Sequence, residues 1–229
     1  MSTPENRLLA ALPPADFSRL TARMTEFTFG HKDLLYPVGG PIEYVYFPHS
    51  GIISAVLIMA DGQKAETAAI GSEGMIGVVS CLGADNSPEQ VFCQVPPAEC
   101  RRLSVAEFIA EVARGGALRD VVYGYLRATL TASAWQTACN ALHSVDERCA
   151  RWLLRCHDGA GREEFPLTHE FLSTMLGVRR ATVSVTAASL QSARIISYRH
   201  GKVKILDRAA LEDATCECYQ AIRKVFDRL

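Results

Sequence analysis

From about Ala117 to His143 the chain runs without proline and with one internal glycine, Gly124. A helix of that length is too long for one compact domain, so it divides the chain into an N-terminal and a C-terminal part. Along it Leu118, Val121, Tyr125, Ala128, Ala132, Trp135, Cys139 and Leu142 alternate spacings of three and four, the spacing of a coiled-coil seam. A helix packed back onto its own domain would carry a similar stripe, so the pattern leaves self-association and internal packing both open. The expected division is residues 1–115, a long helix over 116–143, and a second unit over 144–229. A chain of 229 residues has room for two small domains.

Residues 5 to 24 carry apolar positions at helical spacing (Leu8, Leu9, Leu12, then Phe17 and Leu20), with Pro13-Pro14 starting a second short helix. From Thr25 to about Leu103 the texture changes to β-branched and aromatic runs: Thr25–Phe29, Tyr44–Phe47, Ile52–Met59, Ala65–Ile70 and Val91–Val95. Gly39-Gly40-Pro41, Asp61-Gly62 and Pro96-Pro97 break them. Short strands at this spacing predict a sandwich or barrel-like roll, with Asp61-Gly62 as its clearest hairpin turn. Ser104 caps a predicted helix containing Phe108 and Ile109. After the long helix, another runs from Val145 to Cys156 and ends at a His157-Asp158-Gly159-Ala160-Gly161 linker.

Lys and Arg number 24 against 25 Asp and Glu, but the near-neutral total hides an asymmetry. Between 166 and 208 there are seven basic residues (179, 180, 194, 199, 202, 204 and 208) against Glu170 and Asp207. Residues 1 to 165 lean the other way, with 14 basic and 19 acidic side chains. That segregation points to a polyanionic partner for the late segment alone. No stretch approaches the roughly 18 apolar residues of a membrane span, and Glu5, Asn6 and Arg7 precede a short apolar run in the wrong order for a signal peptide. The expectation is a cytoplasmic protein without a membrane partner. None of the eight cysteines forms a Cys-x-x-Cys pair, so they read as small core residues, with Cys216-x-Cys218 at most a redox pair. No metal site and no cofactor are expected.

The stretch from Pro166 to Asp207 carries the function. Thr168 is a plausible N-cap for a helix that turns Phe171, Leu172, Met175 and Leu176 inward, and Gly177 breaks it where a helix-turn-helix needs a tight turn. A second helix follows from Arg179 or Arg180 to about Ser192, with Val183 and Leu190 inward and Arg180, Ala181, Ser184 and Val185 outward. Ile195 to Tyr198 and Val203 to Leu206 then form a two-stranded wing, tipped by Arg199 and His200, with Lys202 and Lys204 on its solvent side.

The run Leu167-Thr168-His169-Glu170-Phe171-Leu172-Ser173-Thr174-Met175-Leu176-Gly177-Val178-Arg179-Arg180-Ala181-Thr182-Val183-Ser184 resembles the helix-turn-helix signature of the Crp/Fnr superfamily of bacterial transcriptional regulators. The order of parts resembles that family over nearly the whole chain. The resemblance implies an α+β fold: an N-terminal β-roll of the cyclic-nucleotide-binding type (a double-stranded β-helix), a long dimerisation helix and a C-terminal winged helix-turn-helix. It implies a homodimer on an inverted repeat of double-stranded DNA, with RNA polymerase as a further partner. Carried over by position, it makes Arg180 the base-reading arginine and gives phosphates to Thr168, Arg179 and Thr182, within an interface that includes Ala181, Ser184, Val185, Arg199, His200 and Lys202. Ala181 and Val185 stand where readers of the best-known half-site carry Glu and a second Arg, so a different target sequence is implied.

In the sensory half the resemblance points to Gly71, Glu73, Gly74, Met75 and Gln90 as effector-pocket residues. The cyclic-phosphate arginine of the family is missing from Ser87-Pro88-Glu89-Gln90, so cAMP in the usual mode is not expected and the effector, haem or another small molecule, stays open. Glu73 reads as a shifted ribose ligand or a solvated turn residue, and His31 and His49 as haem ligands or turn histidines. The family's iron-sulfur branch needs N-terminal cysteines, and none precedes Cys81. Two rival readings remain: a nucleotide-gated module acting through protein contacts, and a cupin-like metal enzyme built on His31, His49, Glu43 and Glu66, which lack ligand spacing such as His-x-His.

Overall fold

The computed structural model describes residues 6–229. The first residues of the expected opening helix and signal-peptide reading, 1–5, lie outside them. Asn6 caps α1 (Arg7–Ala10), accepting from the amides of Leu8 and Leu9 while its Nδ2 donates to the carbonyls of Pro48 and Gly74. One buried amide thus ties the start of the chain to the roll. α2 (Pro14–Thr21) comes next, opened by proline where its missing N–H costs nothing.

The roll is two antiparallel sheets. β2 (Leu34–Tyr36), β6 (Gln90–Val95), β4 (Ile52–Ile58) and β5 (Lys64–Ile70) make one; β1 (Thr25–Phe29), β7 (Ala98–Ser104) and β3 (Tyr44–Pro48) make the other. Ile53, Val91 and Cys93 of the first face Phe29, Tyr46 and Cys100 of the second across a dry core. The five predicted strands form within a residue of their expected ends, and Gly62, at φ +83°, turns the β4–β5 hairpin. β2 and β7 were not expected. β7 is the central strand of its sheet despite Arg101 and Arg102, because Arg102 stacks on the rings of Phe27 and Tyr44, each 4.5 Å away, and Arg101 reaches Glu26 at 2.7 Å.

Ser104 caps α3 (Val105–Ala113) as expected, and α4 (Ala117–Leu142) is the long helix. Its apolar stripe is largely taken up by internal packing. Leu118 and Tyr125 are buried with Leu8, Leu9, Phe108 and Val122 of the chain's own core, and Ala128 is buried as well. Tyr125 also donates to the Met75 carbonyl at 3.2 Å. Val121 and Ala132 are half-buried, and only Trp135 and Leu142 of the expected stripe face solvent. Internal packing therefore takes the stripe the sequence offers. A second exposed stripe, Tyr123, Arg127, Leu130, Ala134, Thr137 and Ala141, lies two positions along and on the opposite face.

α5 (Val145–Ala160) begins in a capping box of Ser144 and Glu147 and runs through most of the expected linker to Gly161, which closes it at φ +60°. After it come β8 (Glu164–Pro166), α6 (His169–Leu176), α7 (Arg180–Ser192), β9 (Ile196–Arg199), β10 (Lys202–Ile205), α8 (Arg208–Asp213) and α9 (Cys218–Phe226). α5 is shared by both halves: Ile52, Val56 and Val95 of the roll sit in one continuous core with Trp152, Leu153, Leu172, Val183 and Val203. Gly51 donates to the Gly159 carbonyl at 3.0 Å, and a Cβ on Gly159 would lie 2.0 Å from Ile52 Cδ1. Only glycine lets the helix approach β4 this closely.

A polar chain crosses the same contact. Trp152 Nε1 donates to Glu66 Oε2 at 2.8 Å, Ser54 Oγ lies 2.6 Å from Glu66 Oε1 and also bonds Gln94, and Gln94 Nε2 reaches Cys156 Sγ at 3.4 Å. Burial pushes the Glu66 carboxyl up to about 7, against the Ser54 and Trp152 hydrogen bonds. The unfolded chain releases this proton near 4.5 and the folded chain holds it to about 7, so Glu66 lowers stability progressively as pH rises through that interval. The rise is worth roughly 3 kcal/mol at most. Glu66→Gln, which stays neutral, is expected to exceed the parent in urea-unfolding stability by about 2–3 kcal/mol at pH 8 and to match it near pH 4; an equal difference at both pH values contradicts this.

Candidate nucleic-acid interface

The helix-turn-helix is assembled by short-range rules. Thr168 accepts from Phe171 N at 3.1 Å to start α6, and Gly177 at φ +63° ends it. Leu172, Met175 and Leu176 pack inward against Val183 and Leu190 of α7. Arg179 occupies the N-cap of α7 and offers no side-chain acceptor. The first amides of that helix therefore keep their donors for an outside anion, at the positive end of the helix dipole.

Arg179, Arg180, Ala181 and Thr182 surround that terminus, and Val185 is exposed one turn on. Arg180 keeps 69% of its side chain in solvent, with Nε 4.0 Å from Glu170 Oε2. Thr168 is exposed beside them. Ser184 departs from expectation: its hydroxyl faces His169 Nδ1 at 3.0 Å and donates to the Arg180 carbonyl at 3.1 Å, which braces α7 on α6 and leaves it half-buried. His169 in turn lies against the Tyr198 ring, with centroids 4.4 Å apart. Burial, then the Arg180 charge, keeps His169 below its usual value.

The wing is three-stranded, in the order β8-β10-β9. His200 and Gly201, both at positive φ, make its tight turn and put Arg199 and His200 at the exposed tip. β8 has no counterpart among the predicted strands, and it and the residue before it bring two acids to the wing: Lys202 Nζ sits 3.2 Å from Glu164 and Lys204 Nζ 3.2 Å from Glu163. The basic excess counted from residue 166 onward is thus partly offset in space. The concentrated positive charge is at the α7 N-terminus and the wing tip, not along the wing strand.

A second feature lies in the other half. A cavity of about 340 Å³ opens between β5, residues 73–79, α4, α5 and α9. Of the expected effector residues, Glu73 and Met75 line it; Gly71, Gly74 and Gln90 do not, and Ser87, Pro88 and Glu89 stand at the wall instead. Glu73 is neither solvated nor free. Burial works against its charge, but the Arg155 guanidinium and the Gly71 amide hold its carboxyl below the usual range. Arg155 and Arg151, both on α5, supply the cationic groups that the β5–β6 connection lacks.

The residues of the enzyme reading stay apart. His31 Nδ1 faces the Gln94 carbonyl, buried His49 faces Glu26, Glu43 is exposed, and Glu66 is in the Trp152 chain. Neither histidine lines the cavity.

Residues 147–214 match the model of the Crp-like helix-turn-helix domain. Over most of the chain the fold is similar to that of Crp/Fnr regulators. FixK2 from Bradyrhizobium japonicum superposes with a TM-score of 0.70 at 16% identity, over 84% of this chain and 98% of that one. A CRP-family transcriptional regulator from Thermus thermophilus gives 0.68 at 20%, over 83% and 96%. The c-di-GMP-responsive global regulator CLP from Xanthomonas campestris gives 0.66 at 14%, over 84% and 99%. No curated protein is similar to the chain in sequence. The Thermus and Xanthomonas structures are named as regulators, and the Crp-like match begins on α5, the helix that also seals the roll. Among the described residues no helix is long and apolar enough to cross a membrane.

Proposed function

We propose that the chain is a Crp/Fnr-type transcriptional regulator that binds an inverted-repeat operator as a homodimer, with a small-molecule effector in the cavity between its two halves. The observation that carries the reading is the α7 N-terminus: an uncapped helix start ringed by Arg179, Arg180 and Thr182, on a scaffold that buries the opposite face. Arg180 is the group that can make a bidentate contact to guanine. Thr168, Arg179, Thr182 and the tip residues Arg199 and His200 take phosphates. Ala181 and Val185 offer apolar contact in place of further hydrogen bonds, a composition suited to a thymine methyl.

Dimerisation is assigned to the outer face of α4. Tyr123, Arg127, Leu130, Ala134, Thr137 and Ala141 repeat at four and three, all exposed, with Leu130 at 73% and Tyr123 at 49%. A second copy covering this stripe would form the seam that the inner stripe cannot, and a twofold pair would carry its two α7 helices onto successive major grooves, about 34 Å apart. RNA polymerase is the further partner implied for such a regulator.

The cavity suits a ligand that touches both halves, because Glu73 and Met75 come from the roll and Arg151 and Arg155 from the DNA-binding half. A ligand displacing the Glu73–Arg155 pair would bias how α5 sits. The Glu89 carboxylate, bonded to Thr67 at the cavity wall, opposes a cyclic phosphate in the usual orientation.

Two outcomes are expected. In gel shifts on a selected operator, Arg180→Ala costs about 1–3 kcal/mol and relaxes one base position, while Lys202→Ala, already paired to Glu164, changes specific and random duplexes alike and only slightly; equal losses for both on both duplexes would contradict these roles. In sedimentation, Leu130→Glu yields a folded monomer, whereas Leu142→Glu, beyond the stripe, leaves the dimer intact; a dimer unaffected by Leu130→Glu rules out the outer face.

A further inference from the structure

We propose that Cys139, His143, Cys216 and Cys218 form a binding site for a single thiophilic divalent cation of the zinc type, clamping the end of α4 to the start of α9. The four residues come from sequence positions up to 79 apart, which is why no spacing motif announces them. One ligand atom from each lies within 4.8 Å of all the others. The three cysteines are buried together and their thiols are free.

Two of the ligand-to-ligand distances are close to the edges of a tetrahedral site. Cys139 Sγ lies 3.5 Å from Cys216 Sγ, and Cys218 Sγ lies 3.6 Å from His143 Nδ1. With Zn–S near 2.3 Å and Zn–N near 2.05 Å, a tetrahedron has edges of about 3.8 Å between sulfurs and about 3.6 Å between sulfur and nitrogen. A disulfide needs about 2.05 Å, so these sulfurs are neighbours and not a bond. A polynuclear iron-sulfur cluster spreads its ligands over several metal atoms, wider than this set allows. Three thiolates and one imidazole select a borderline-soft ion over magnesium or calcium.

The surroundings suit a metal centre as well. His143 turns Nδ1 to the sulfurs and Nε2 to Glu217, whose Oε2 is 3.3 Å away. A carboxylate behind a ligating histidine is the arrangement that fixes its tautomer and orientation in metal centres. Beside the cluster, Arg148 and Arg151 on α5 lie within electrostatic reach of Cys139, and the Nε of each is buried without a hydrogen-bond partner among the described residues. Three thiolates around a divalent ion leave one net negative charge, which these guanidiniums offset. Each thiol that ligates releases its proton to solvent, and no redox step is involved.

The site joins the two halves at a second point. α4 carries the outer face assigned to dimerisation and α9 belongs to the C-terminal unit, so a bound ion fixes one against the other. This inference does not depend on the DNA-reading assignment.

The test is cobalt and zinc titration of the reduced, chelator-stripped full chain. The expected result is one equivalent of Co²⁺ with the visible bands of tetrahedral thiolate coordination, displaced by Zn²⁺. Glu217→Gln, a substitution at an exposed side chain, should weaken Zn²⁺ binding about 10-fold against a chromophoric chelator without altering the fold. Cys216→Ser/Cys218→Ser should abolish the bands, and Cys81→Ser, remote from the cluster, should leave them unchanged. A folded parent chain that gives no tetrahedral cobalt spectrum, bands that persist in the double variant, or iron bound with equimolar sulfide would each overturn the proposal.

Discussion

The structure depends on the seat of α5 against the β-roll. Through Gly159 the helix backbone comes within hydrogen-bonding distance of Gly51, and Ile52 fills the space where a side chain would otherwise stand. Trp152 brings its indole N–H to Glu66, and the same helix turns Leu153 and Leu154 into the helix-turn-helix core. One helix therefore has no solvent-facing apolar side to spare. A change in how it lies on the roll moves α7 with it, because the core is continuous and close-packed and transmits displacement instead of absorbing it.

The helix α4 is constrained from the other side. Its inner stripe is used by α1, α3 and the roll, and it meets α9 through the ring of Phe226 beside Tyr125 and, at its C-terminal end, through the thiols of Cys139 and Cys216. The cavity lies where these contacts meet, walled by α4, α5 and α9 together. A ligand there, an ion at the thiol cluster and a second copy on the outer face would all act on the same two helices. Their effects on DNA binding are therefore expected to be coupled through the placement of α4 and α5.

Much of this was legible in the sequence because local rules decide it. Ser104, Ser144 and Thr168 stand at helix starts as acceptors, Gly177 and Gly62 take the left-handed turns their positions require, and the β-branched runs give the strands they predict. What escaped was set by tertiary partners. β7 carries two arginines that only the rings of Phe27 and Tyr44 make tolerable, and β8 contains Glu164, whose charge matters only once it lies beside Lys202. The stripe on α4 was open between self-association and internal packing, because apolar spacing says that a face is covered, not by what; the chain's own core covers most of it. Glu73 reads in sequence as a shifted ribose ligand or a turn residue, because its partner, Arg155, is 82 positions away. Of the thiol cluster only Cys216-x-Cys218 was visible locally, and it read as at most a redox pair, because Cys139 and His143 are far away in sequence.

The central claim is that two copies of this chain present their α7 helices to one duplex at a separation fixed by α4 and α5. Sequencing duplexes retained by the purified protein from a random pool tests it most directly. The account predicts a two-armed motif related by twofold symmetry, with arms one helical turn apart and a guanine favoured in each. Recovery of a single unpaired arm, or of duplexes without any shared motif, would contradict it.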